Sequence, residues 1–314
     1  MQSGFDDVLG GVLPIVLLLA LGMLLRRVRV LDDDTVAGLK RLIVNVSLPA
    51  VLFTTFLVTR FEPAYLWVII IVFTVCVALY GVGLLALRTV GGSAYTPFLF
   101  TGFELGMIGF ALFTAVYGPE RLPALGVLAL GHEVFIWFVF VTLLRAAGAQ
   151  RQTAAQTARN LLTSPTIVAI LAGVALNVAG FGPALTESAV GGAISTALGY
   201  LAAMIVPLIL LVVGYGSKLT GAGVREALPL VAVRTVVTLG LALLIGYLVF
   251  ERLLGLDPIF RHALVTLMVL PPPFIIPLFI PASRRGELGY VNNVLSLSAL
   301  VSVAVFVSYV LVTA

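Results

Sequence analysis

Four ionisable residues lie inside long apolar runs of this chain: Glu104, His132, Glu133 and Arg234. A charge inside a membrane is costly, so each must be paired, hydrated or neutralised. Glu104 falls within Gly102-Phe103-Glu104-Leu105-Gly106-Met107-Ile108-Gly109. A carboxyl there can carry a proton, ligate sodium or pair with a cationic substrate. Its purely structural role would be to accept hydrogen bonds from backbone amides freed beside Gly106 and Gly109. His132 and Glu133 are neighbours, so on a helix they point about 100° apart and only one need face a cavity. A part in ion coupling stands there against an interhelical hydrogen bond. Arg234 can neutralise a buried carboxylate, hold a substrate carboxylate through two parallel hydrogen bonds, or snorkel to the cytoplasmic surface.

The elements that position these residues follow from composition. Of 314 residues 61% are apolar and 10% charged, against about 25% charged in a soluble domain. Too few charges remain to cover a water-facing surface, and the apolar residues come in runs of bilayer length. The expectation is an all-α integral membrane protein with ten transmembrane helices. They run over Val8–Leu25, Leu42–Val58, Tyr65–Leu87, Pro97–Tyr117, Leu125–Leu144, Thr166–Val178, Leu198–Gly214, Leu228–Phe250, His262–Pro281 and Tyr290–Val312. Thirteen Lys and Arg residues fall in loops after odd-numbered spans and four in loops after even-numbered ones. By the positive-inside rule the odd loops are cytoplasmic and both termini face outward, in the cell (inner) membrane. The start of the chain lacks a basic region and a cleavage site, so it is read as a first span and not as a signal peptide.

The longest polar connection divides the chain into residues 1–147, a cytoplasmic linker 148–164, and residues 165–314. Five spans per half make the halves insert in opposite directions, the plan of inverted-repeat transporters. Pro49 and Pro207 sit in the second span of each half. The fourth spans match better. One carries Gly102, Gly106 and Gly109; the other carries Pro271, Pro272, Pro273 and Pro277. Gly weakens a helix and Pro removes backbone donors, so both spans should break near mid-membrane. Unwound backbone survives there only when buried in protein or lining a wet cavity. Broken helices in corresponding positions point to a binding site. That site would take in Glu104, Gly106, Gly109, Pro272, Pro273, Pro277, Asn45 and Arg234, with Glu104, Glu133 and His132 as ion-coupling candidates. Half-helix N-termini at Gly109 and after Pro273 would aim positive dipole ends at the crossing, a seat for a carboxylate. Asn292 and Asn293 are expected to tie the last span to its neighbours.

Other chemistries fall away. Asp32-Asp33-Asp34 has no second acidic cluster, and suits a helix N-terminus before Thr35. His132 and His262 lack metal-ligand spacing. No phosphate-cradling Gly-Lys-Ser/Thr motif is present. Cys76 is the single cysteine, so no intrachain disulfide can form. No paired acidic motif or nucleophile–base set suggests an enzyme, no cofactor is expected, and no basic–aromatic face suggests nucleic acid.

Several of these segments resemble the auxin efflux carrier family. They are Asn45-Val46-Ser47-Leu48-Pro49 followed by Leu52-Phe53, and Glu104-Leu105-Gly106-Met107-Ile108-Gly109-Phe110-Ala111 at that family's Gly-Asn-x-x-x-x-Gly-x-Pro crossover. Leu270 to Phe279 resembles the second crossover, and Ser164-Pro165 the start of the second half. The resemblance implies a ten-helix, two-repeat fold shared with bile acid:sodium symporters. Spans 1, 2, 6 and 7 would form a scaffold, and spans 3–5 and 8–10 a transport domain. It also implies small organic anions as substrates (auxin, malate or malonate), proton or sodium coupling, and a homodimer in the bilayer. Glu104 stands at the crossover asparagine position and Ala111 at the proline position, and a carboxylate there would repel an anion. A carrier for a cationic or neutral substrate, or a membrane sensor on a transporter fold, are the alternatives.

Overall fold

The structure, a computed structural model, describes residues 2–58, 62–89, 92–148, 159, 162–181, 188–216, 221–281 and 283–313. Most of the linker 148–164, and Arg60, Arg151 and Lys218 of the charge count, lie outside the described residues. Those described are helical, with no strand among them. In chain order they form α1 (Gln2–Arg27), α2 (Asp33–Val58), α3 (Ala64–Thr89), α4 (Thr96–Phe100), α5 (Phe110–Tyr117), α6 (Pro119–Ala147), α7 (Pro165–Val178), α8 (Ala189–Gly216), α9 (Gly221–Leu253), α10 (Ile259–Val269) and α11 (Arg285–Thr313). Six of these, α2, α3, α6, α8, α9 and α11, are long and apolar enough to cross a membrane. This is the build of a multi-pass membrane protein.

The helices outrun the apolar runs. The sequence predicts α2 from Leu42, but it starts at Asp33. Asp32 caps it, its carboxylate accepting from the Thr35 amide at 2.7 Å, and Asp33 and Asp34 face the positive end of the dipole. Lys40 and Arg41, expected in a loop, therefore sit on a helix. Likewise α8 begins at Ala189 rather than Leu198, capped by Ser188, whose hydroxyl accepts from the Gly191 amide. The caps at Asp32 and Ser188, not the edges of the expected spans, set where the two helices start.

Glycines set the closest helix contacts. A Cβ on Gly22 of α1 would strike the Leu211 carbonyl of α8, and one on Gly214 of α8 would strike the Leu19 carbonyl of α1. On Gly173 of α7 a Cβ would meet the Phe53 carbonyl of α2 at 2.7 Å, and Asn177 of α7 donates to the Phe56 carbonyl at 2.9 Å. Hence α1 lies along α8 and α2 along α7. A second group joins α3 to α6, where Gly131 lies against the Ile69 carbonyl, and α9 to α11. Small residues let backbones approach where no hydrophobic effect drives helices together.

Candidate functional site

Two interrupted segments meet in the middle of the molecule. The first helix stops at Phe100, and Thr101 is extended. Gly102 takes φ +70°, which a side chain would strain; a Cβ there would also sit 3.0 Å from the Pro273 ring. The chain re-coils as a π-helical turn, Leu105–Gly109, before α5. Unwinding thus covers residues 101–104. Gly106 and Gly109, expected in the unwound stretch, lie inside the π turn, and the new half-helix starts at Leu105 rather than Gly109. The second segment leaves α10 at Val269, with Leu270 extended. It passes through buried Pro271, Pro272 and Pro273, then forms a short 3₁₀ turn, Ile276–Phe279. Prolines cannot supply the amides a helix needs, so the break falls on them.

The two breaks are bonded to each other. The Glu104 amide donates to the Pro271 carbonyl at 2.9 Å. In return the Glu104 carboxylate accepts from the Phe274 amide at 2.7 Å. The residues beside Gly106 and Gly109 do not supply the described bond; the opposite crossover does. Glu104 therefore places its own carboxylate where a substrate carboxylate was expected, on an amide that the three prolines leave exposed.

Arg234 closes the other side. It does not snorkel: it is 2% exposed. Its guanidinium donates to the Leu270 carbonyl at 2.8 Å and the Gly102 carbonyl at 3.3 Å, and lies 5.2 Å over the Phe103 ring. Both carbonyls belong to residues just past the C-terminal ends of α4 and α10. One cation thus covers the negative ends of two half-helices. The planar fork suits two carbonyls at once.

His132 faces the same point. Its Nε2 accepts from the Phe103 amide at 3.0 Å, so that nitrogen carries no proton and the ring is the Nδ1–H tautomer. To carry a proton there, His132 would have to release Phe103. Nδ1 lies 3.7 Å from the Glu133 carboxylate, beyond hydrogen-bond reach. Glu133 is held one turn along its own helix by the Trp137 indole at 3.1 Å and makes no bond to either break among the described residues. The Thr101 hydroxyl completes the anchoring, donating to the Cys76 carbonyl at 2.6 Å.

The remaining expected residues divide: Gly109 and Pro273 pack across the crossing, while Asn45 and Pro277 are engaged elsewhere. Asn45 is exposed within a π turn of α2 and donates back to the Arg41 carbonyl at 2.8 Å instead of to either break. A helical side chain can always satisfy itself on the preceding turn, and Asn45 does. Gly106 lies against Leu48, Gly109 against Leu270, and Pro273 on Gly102. Pro277 instead lines a cavity of about 240 Å³ between α2, α8, α11 and the second break, together with Phe274, Lys40, Asn292 and Ser296. Sequence reasoning missed Lys40, Phe274 and Ser296 there, and gave Asn292 only a packing role. Lys40 had been counted as a loop charge; the signal was its spacing on the helix that Asp32 caps. Asn293 does tie helices together, donating to Glu226 of α9 at 3.1 Å.

No protein-family model matches the chain, and no curated protein sequence matches it significantly.

Proposed function

We propose that the chain is a secondary carrier of small organic anions working by alternating access, with ten spans in two inverted five-helix repeats. The observation that carries this is the pair of interrupted segments, bonded backbone to backbone and clamped by Arg234. Irregular backbone inside a membrane protein marks the binding region of many carriers. On this plan α4, the first break and α5 form the fourth span, and α10 with the second break forms the ninth.

Packing symmetry supports the repeat. If α1 corresponds to α7 and α2 to α8, the α1–α8 contact maps onto the α2–α7 contact. The α3–α6 contact maps in the same way onto the α9–α11 contact. Scaffold (α1, α2, α7, α8) and transport domain (the rest) then follow, with an elevator-type movement between them. The resemblance to auxin efflux carriers agrees with this division and implies a homodimer. The basic-residue bias puts Lys40 and its cavity on the cytoplasmic side and both termini outside. Glu104 is the coupling residue, for symport or antiport: when neutral it would weaken its hold on Phe274, linking ion occupancy to the geometry of the crossing. A cationic cargo is the competing reading, favoured by the carboxylate at the crossing.

The test is uptake of radiolabelled carboxylates and amines into proteoliposomes, with imposed pH and sodium gradients. Saturable, gradient-driven carboxylate uptake is expected, and its gradient dependence should vanish in Glu104→Gln. Uptake of amines alone would select the competing reading.

A further inference from the structure

At the crossing the Glu104 carboxylate already accepts the Phe274 amide, and Arg234 donates to two carbonyls and keeps only its buried Nε–H without a described partner. A cation free of such bonds would serve an anionic cargo better. The cavity beside the second break provides one. Among the described residues, Lys40 is the only ionisable one lining its 240 Å³ part. Asn292 and Ser296 reach the same space from one face of α11, four residues apart. Among the described residues, none of these three side chains makes a hydrogen bond or ion pair, and none has a further interaction. Three polar side chains with no other duty therefore converge on one volume.

The rest of the wall is apolar. Phe274, Pro277 and Leu295 line it, and Phe274 is the residue whose amide bonds Glu104. The volume is roughly that of eight waters, enough for a short carbon chain and a carboxylate. An adjoining pocket of about 420 Å³ shares Lys40, Asn292 and Ser296 with it and adds Asp33, which is held by the Tyr215 hydroxyl at 2.8 Å. Asp33 lies seven residues from Lys40, about 10 Å along the helix, and does not line the 240 Å³ part.

We infer that Lys40, Asn292 and Ser296 form the carboxylate end of a binding site for a monocarboxylate with an apolar body, which packs against Phe274 and Pro277. One cation and an apolar wall select one carboxylate; a dicarboxylate would bury its second charge against Phe274 and Leu295 without a partner. The cargo would then touch the residue whose amide Glu104 holds, linking cargo to crossing directly. This deepens the carrier function proposed above and rests on it.

The experiment is equilibrium binding of radiolabelled hexanoate, adipate and hexylammonium to the purified protein in phosphatidylcholine nanodiscs, beside uptake in proteoliposomes. Hexanoate should bind at least tenfold tighter than adipate or hexylammonium. Lys40→Met should weaken hexanoate at least tenfold, Lys40→Arg should restore most of it, and Lys40→Glu should turn the preference toward hexylammonium. Lys40 is exposed, so these variants should fold, and an unchanged thermal melt checks it. Equal binding of adipate, or hexanoate binding indifferent to Lys40, would overturn the inference. Loss of hexanoate binding when phosphatidylglycerol replaces phosphatidylcholine would also overturn it, since the occupant would be a lipid headgroup. Binding without uptake of any compound would sink the carrier function and leave the site; uptake of dicarboxylates alone would do the reverse.

Discussion

Replacing Arg234 by methionine should loosen the crossing, and the structure sets the size of the effect. The substitution removes a strong bond to the Leu270 carbonyl at 2.8 Å and a weaker one to the Gly102 carbonyl at 3.3 Å. A hydrogen bond from a charged donor contributes about 1.5–3 kcal/mol, and a buried carbonyl left without a partner costs about 1–3 kcal/mol. Against this, the guanidinium need no longer be desolvated, which returns several kcal/mol. Bonds inside membrane proteins also average nearer 0.6 kcal/mol. If the lost bonds and the orphaned carbonyls outweigh that return by about 2 kcal/mol, Tm falls by roughly 4–8 °C at 2–4 °C per kcal/mol. Arg234→Lys keeps the charge but not the fork, so it should lose about half as much. The assay is a thermal melt followed by size-exclusion in detergent, with uptake measured on the same preparations. A methionine variant as stable as the parent, or a lysine variant indistinguishable from it, would refute the idea that one guanidinium holds both half-helix ends.

Three further outcomes are expected. His132→Leu removes the acceptor of the Phe103 amide and should cost about 1–3 kcal/mol; His132→Gln, whose amide oxygen can still accept, should cost visibly less in the same melt, and equal losses would argue against the bond. Gly214→Leu drives a side chain into the Leu19 carbonyl and should destabilise by at least about 1–3 kcal/mol, whereas Gly240→Leu, with open space around it, should be tolerated; the pair is read by fluorescence-detected folding yield. Asp32 is held below its ordinary carboxylate value of 3.8 by hydrogen bonds from the Thr35 side chain and backbone. A carboxylate whose folded pKa is depressed stabilises above its unfolded pKa and ceases to as pH falls through the folded value. Asp32→Ala should therefore lower Tm at neutral pH, and its gap from the parent should close as pH is taken below 3.8.

Much of the architecture was legible because membranes impose simple rules. Long apolar runs gave helices, and the glycine and proline clusters gave both interruptions, because those residues change the backbone itself. Helix starts were misplaced where an N-cap residue begins the helix ahead of the expected span, as before Asp33 and Ala189. The partners of the buried polar groups were not legible. Arg234 meets Gly102 across 132 residues and Glu104 meets Phe274 across 170; no spacing rule reaches that far. Adjacency was misleading at His132 and Glu133, which share a peptide bond but bond to different partners, Phe103 and Trp137. Asn45 looked functional because asparagine is rare in such a run, yet it satisfies itself on Arg41. Lys40 was hidden by its charge, which reads as topology until the helix carrying it is known.

The carrier function stands or falls on transport itself. Purified protein in proteoliposomes, given an inward-directed pH or sodium gradient and a radiolabelled short monocarboxylate, should accumulate label above the diffusion level, saturably and in a way abolished by collapsing the gradient. Gradient-independent leakage equal to that of empty liposomes, for every carboxylate tried and with the protein shown to be folded, would contradict it.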